Sequence, residues 1–332
     1  MAENSSQDEN CQASHSCPRK AVSLEIRLEE ALARFDREAS HGVCPTPRYQ
    51  MPYYSWGNGP PLVFIHGVSD ISRSFLMVIS RLSAHFRCIA YNLPLGNGDG
   101  ARLHRYQHED LVDDLARLLD HLQLSRTYLL GSSFGSTIAL RALRRWPDRI
   151  PRGILQGGLA RRPLRLVERL FGKIAQWMPV PTSGIPRRTR ILEAVHRPPF
   201  AGRPPQVWEA FVTWTGESRL AALGHQARLL HRVDLRPDLP HIQQPVLLLH
   251  GDRDSVMPRY HAEMLLRGLP RAGLVILEGA GHVPYYTHPE AMTAIVRQFL
   301  TPPGREHAPC PGNGTCEKAG SSCSNQGSVE AG

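Results

Sequence analysis

The residues Gly131-Ser132-Ser133-Phe134-Gly135 stand between an apolar run, Thr127-Tyr128-Leu129-Leu130, and a helix-patterned segment that reaches Trp146. Gly-x-Ser-x-Gly in that setting predicts a sharp strand-to-helix turn that lifts Ser133 clear of the sheet in a strained backbone conformation. Glycine two residues to either side removes the Cβ atoms that would collide with neighbouring backbone. At the N-terminus of a helix, Ser133 is also placed where developing negative charge is favoured. The chemistry this implies is nucleophilic attack by a serine hydroxyl.

A serine hydroxyl attacks only when a base takes its proton, and that base needs an orienting group. Downstream, His250-Gly251-Asp252-Arg253-Asp254 follows the apolar run Val246 to Leu249, and Gly279-Ala280-Gly281-His282 follows Leu274 to Leu277. The chain therefore offers a histidine, His282, and a choice of carboxylate, in the order serine, acid, histidine. An oxyanion formed during attack needs preorganised N–H donors, and the backbone N–H of Phe134, directly after the nucleophile, is one candidate.

Elements must exist that bring these distant residues together. Short apolar runs at 62–65, 88–91, 127–130, 153–156, 246–250 and 274–277 read as central strands covered on both faces. Helical periods fill the intervals at 73–82, 109–122, 134–146, 259–267 and 289–299. In the second, Leu111, Leu115, Leu118, Leu119 and Leu122 recur at three- and four-residue steps opposite Asp113, Asp114 and Arg117. This alternation predicts an α/β fold, a mostly parallel central sheet with helices on both faces, whose strands end on one common edge. The segment 160–239, broken by prolines and without a convincing strand, reads as an inserted helical cap. Residues 1–45 read as an irregular N-terminal tail, 46–301 as the main domain and 302–332, rich in Gly, Pro and Ser, as a disordered tail.

With these residues in place, the chain resembles the α/β-hydrolase family over roughly 53–300. Gly251, Asp254 and Pro258 match the family's pattern around the catalytic acid, and Gly281-His282-Val283-Pro284 its pattern around the histidine. The resemblance implies a triad of Ser133, Asp254 and His282, with Asp252 as a solvated turn residue. It also implies that the N–H of Val68, in His66-Gly67-Val68-Ser69, partners that of Phe134 in an oxyanion hole, while His66 serves to stabilise its turn. The other acid position of the fold reads Gln156-Gly157-Gly158 and offers no carboxylate. Where relatives carry Asp-x-Pro-Gly, this chain has Asn92-Leu93-Pro94-Leu95, which leaves the shape of that loop open.

The expected activity is hydrolysis of a carboxylic ester, thioester or amide through an acyl-enzyme. Carbon–carbon bond hydrolysis or perhydrolysis on the same triad, and a non-catalytic ligand-binding homologue, remain alternatives. No metal or organic cofactor is required. Trp177, Met178, Phe200, Trp208, Phe211 and Trp214 of the cap suit either an apolar pocket or plain packing. The cap arginines at 161, 162, 165, 169, 187, 188 and 190 fit a solvated face, or an anionic or carrier-linked substrate.

Composition excludes several other classes. The chain has 332 residues, is 41% hydrophobic and carries a formal net charge of +9. No run approaches the about eighteen apolar residues of a membrane span, and no secretory signal opens the chain, so a cytoplasmic protein without a membrane partner is expected. No basic stripe interleaved with aromatics points to nucleic acid. Five of the seven cysteines (Cys11, Cys17, Cys310, Cys316 and Cys323) fall within the first twenty residues or beyond residue 301, at spacings that fit neither a disulfide framework nor a zinc site. Nothing in the sequence fixes the oligomeric state.

Overall fold

The computed structural model describes residues 27–301 apart from Asn97; the C-terminal tail and residues 1–26 lie outside it. Eight strands form one sheet in the order β1-β2-β4-β3-β5-β6-β7-β8. They are β1 (Ser40–Pro45), β2 (Gln50–Trp56), β3 (Pro61–Ile65), β4 (Arg87–Tyr91), β5 (Tyr128–Ser132), β6 (Gly153–Gln156), β7 (Val246–Gly251) and β8 (Ala272–Leu277). β2 runs antiparallel to both β1 and β4, and every other pairing is parallel.

The central strands are apolar on both faces because both faces are covered. Val63, Ile65, Ile89, Tyr91 and Leu129 pack into one core layer, and Leu62, Phe64, Cys88, Ala90 and Leu130 into the other. Successive side chains of a strand point to opposite faces, so β3 alone contributes to both layers. The first layer is closed by α3 (His108–His121), α4 (Phe134–Arg145) and α9 (Tyr260–Gly268); the second by α1 (Leu28–Glu38), α2 (Leu76–Leu82) and α11 (Pro289–Leu300). α3 begins where the Asp110 carboxylate accepts the Gln107 N–H at 2.7 Å, and it buries Leu111, Leu115, Leu118 and Leu119.

One region differs from what the sequence predicts. Residues 28–45, expected as part of an irregular tail, form α1 and β1. Leu28, Ala31 and Phe35 line one side of α1 and are buried against the second layer, while β1 is an edge strand zipped onto β2. The cap contains α5 (Leu166–Ala175), α6 (Arg188–His196), α7 (Pro205–Trp214) and α8 (Leu220–Arg232). Within it Trp177 and Met178 face solvent, whereas Phe200, Trp208, Phe211 and Trp214 are buried. Phe200, Phe211 and Trp214 stack around Tyr286 of α10 (Pro284–Thr287) with ring centroids 5.4–6.3 Å apart, so they seat the cap on the main domain.

Candidate active site

Ser133 joins β5 to α4 at φ 49° and ψ −117°, a conformation that a side chain other than glycine adopts only under constraint. The constraint is visible on both sides. A Cβ on Gly131 would lie 2.6 Å from Gly135 O, and one on Gly135 would overlap the carbonyl oxygens of Ile65 and His66. α4 thus enters the sheet too closely for any side chain at these positions. The Ser133 N–H is fixed by Gln156 O at 2.8 Å.

Gly67 faces the serine: a Cβ there would stand 3.2 Å from Ser133 Cβ and 3.7 Å from its Oγ. This brings the loop after β3 alongside the turn after β5. The N–H groups of Val68 and Phe134 have no hydrogen-bond acceptor among the described residues. His66 is fully buried; its Nδ1 bonds Gly67 O and its Nε2 accepts the Leu93 N–H, both at 2.9 Å. Burial pushes its pKa down, so it is a neutral turn-holding residue.

On the other side, His282 Nδ1 lies 2.8 Å from Asp254 Oδ2, and the Asp254 side chain is wholly buried. Asp254 Oδ1 accepts the N–H groups of Val256 and Met257 at 2.9 and 2.8 Å. Burial alone would raise this carboxyl. His282 and the Met257 N–H outweigh it and hold the group below the usual carboxylate range. Asp252 is exposed. Ser133 Oγ makes no hydrogen bond to His282 in this conformation, although both residues flank one short segment, Gln156-Gly157. A Cβ on Gly157 would be 3.1 Å from the His282 ring and 3.6 Å from Asp254 Oδ2. Catalytic hydrogen bonds are often long without substrate and tighten when it binds.

Three supporting groups carried no signal in the sequence. Gln156 accepts the Ser132 hydroxyl at 2.6 Å and donates to His282 O at 3.0 Å, linking the serine turn to the histidine loop. Asp70, buried with its pKa raised by desolvation, accepts the Tyr285 hydroxyl at 2.8 Å and the Ile71 N–H at 3.0 Å. That contact joins the loop after β3 to the chain just beyond His282. From the cap, the His196 ring lies 6.4 Å from that of His282 and 5.1 Å from that of Phe211. Burial, and then the neighbouring His282, push its pKa down to about 4. These contacts depend on tertiary closure, which a local pattern does not report.

The arrangement has a hydroxyl on a strained turn, an imidazole bonded to a buried carboxylate, and two N–H groups without acceptors, one on the serine turn and one on the loop beside it. Residues 60–289 match the family described as alpha/beta hydrolase fold. The chain belongs to the α/β-hydrolase family. It is 29% identical over 252 residues to a pimeloyl-[acyl-carrier protein] methyl ester esterase of Nitrosomonas europaea, covering 70% of this chain and 93% of that one. An enzyme of the same name from Vibrio vulnificus is 27% identical, with 73% and 95% covered. Among solved structures, a hydrolase from Pseudomonas aeruginosa superposes with a TM-score of 0.71 at 22% identity, covering 79% of this chain and 98% of that one. A thermophilic esterase from Thermogutta terrifontis does so at 0.69 and 23%, with the same coverage.

Among the described residues no cluster of side chains is arranged to hold a metal ion, and no helix is long and apolar enough to cross a membrane. A cavity of about 700 Å³ opens within the cap between Arg187, Arg188, Arg190, Val212 and Glu217; Ser133, Asp254 and His282 do not line it.

Proposed function

We propose that this α/β-hydrolase cleaves a carboxylic ester through an acyl-enzyme on Ser133. The observation that carries the reading is the buried Asp254–His282 pair at 2.8 Å on the same sheet edge as a serine at φ 49°. In this reading His282 Nε2 takes the proton as Ser133 Oγ attacks the ester carbonyl. Asp254 holds the proton on Nδ1 and stabilises the imidazolium that forms. The N–H groups of Val68 and Phe134 receive the oxyanion, an interaction typically worth about 3–4 kcal/mol of barrier per donor. His282 then protonates the departing alcohol, and a water activated by the same imidazole releases the acid.

The relatives named as methyl ester esterases favour a small alcohol leaving group. The basic cap favours an acyl chain that ends in, or is carried by, an anionic group. The test is labelling by a fluorophosphonate probe. The native protein should be modified at one site and Ser133→Ala should not be, and a panel of aryl esters should turn over only with the native chain. A folded native protein that resists the probe would instead identify a ligand-binding homologue.

A further inference from the structure

Helix α5 of the cap presents an apolar face to solvent. Its Gly172 and Ala175 are buried, and a Cβ on Gly172 would stand 3.6 Å from Gly224 O and Ala227 Cβ of α8, so that side is the packed one. At 3.6 residues per turn, Leu166, Val167, Leu170, Phe171 and Ile174, with Trp177 just past the helix end, fall within an arc of about 140° turned away from α8. These six side chains are 48% to 77% exposed. Single exposed apolar residues are ordinary, but a continuous stripe of this size marks a contact surface. Lys173 and Arg169 border the stripe on one side and Arg165 stands at the helix N-cap; all three are exposed.

We infer that this face of the cap docks on an anionic phospholipid surface. The apolar stripe enters the boundary between headgroups and acyl chains, and Arg165, Arg169 and Lys173 meet the lipid phosphates. Trp177, at the end of the stripe, has the apolar body and polar N–H that suit this boundary. Charge selects the occupant. An antiparallel pairing with a second copy of the same face, across a two-fold axis perpendicular to the helix, would bring the three cations against their own kind. The C-terminal residues 302–332 contain no Leu, Ile, Met, Phe, Tyr or Trp and offer no apolar segment to cover the stripe. Absence of a spanning run in the sequence predicts no membrane partner, but a helix lying in the interface needs no such run.

The inference stands apart from the triad, so its test uses Ser133→Ala protein. The protein is sedimented with vesicles of phosphatidylcholine alone and of phosphatidylcholine with about one third phosphatidylglycerol. Binding should be confined to the anionic vesicles and fall about tenfold between about 0.1 and 1 M salt. The double variant Leu170→Glu/Ile174→Glu should stay in the supernatant with an unchanged far-ultraviolet spectrum, and Arg169→Glu/Lys173→Glu should bind more weakly. Indifference to both vesicle types overturns the inference, as does full binding by either double variant. Two further results do so too: a dimer dispersed by Leu170→Glu/Ile174→Glu in a protein that ignores vesicles, or capture by an acidic acyl carrier protein without vesicle binding.

Discussion

The Gln156 side chain donates a 3.0 Å hydrogen bond to the backbone carbonyl of His282 while its own carbonyl accepts the Ser132 hydroxyl at 2.6 Å. One fully buried amide thereby sets the spacing between the turn that carries Ser133 and the loop that carries His282. Truncating it leaves buried polar partners unsatisfied and frees the histidine loop. Gln156→Leu should lower kcat by about 10- to 100-fold with little change in KM, and destabilise the fold by about 1–3 kcal/mol. Gln156→Glu keeps the acceptor for Ser132 but loses the donor to His282, so it should leave kcat as low as in Gln156→Leu, whereas Gln156→Asn, which keeps a donor, should recover part of the rate. A proportionate change in kcat and KM for all three variants would reduce Gln156 to packing.

Ser133 stores backbone strain that glycine would not feel. Ser133→Gly should raise the midpoint of thermal unfolding, equivalent to about 1 kcal/mol, while abolishing probe labelling and turnover. Calorimetry of the two proteins checks this. A destabilised glycine variant would mean that the serine side chain contributes packing that outweighs its conformation.

The six parallel strands were legible because each is a short unbroken apolar run, the mark of a strand covered on both faces. β1 and β2 were not. Their burial alternates, and polar residues with Pro45 and Pro52 give Ser40–Pro45 and Gln50–Trp56 the look of loop. The turn at Ser133 and the positions of Asp254 and His282 beyond the carboxyl ends of β7 and β8 were legible because particular residue types stand at fixed offsets from apolar strand runs. Gln156 offers no carboxylate and carries no mark in the sequence, since an amide discloses its partners only when the chain has closed. His196 likewise stands on α6, 86 residues before His282, and nothing in its local pattern marks it.

His196 covers the His282 imidazole from the cap and is uncharged above about pH 5, given a pKa lowered to about 4. Its contribution is therefore shape. His196→Ala should raise KM by about three- to tenfold for bulky esters by opening the seam between cap and main domain, and His196→Phe should retain most of the native value. The pH–rate profile should keep its form in both variants. A profile that changes with His196→Phe would show that the imidazole takes part in proton transfer.

Asp114 places a carboxyl in the first core layer, with a side chain only 1% exposed and Arg48 Nε 3.4 Å away. Burial lifts its pKa to about 6; Arg48 opposes this in part. A carboxyl whose pKa is raised in the folded state binds its proton more tightly there than in the unfolded chain. This group therefore favours folding below about pH 4, and that advantage is lost as pH rises towards 6. The loss approaches about 2–3 kcal/mol. Asp114→Asn cannot ionise, and Arg48 keeps Asp110 and Asp113 at 3.5 and 3.9 Å. Urea unfolding at pH 4 should give the two proteins similar stabilities, whereas at pH 7 the asparagine variant should be the more stable by about 1–3 kcal/mol. An equal difference at both pH values would mean that the carboxyl is ionised throughout and that Arg48 has already compensated its burial.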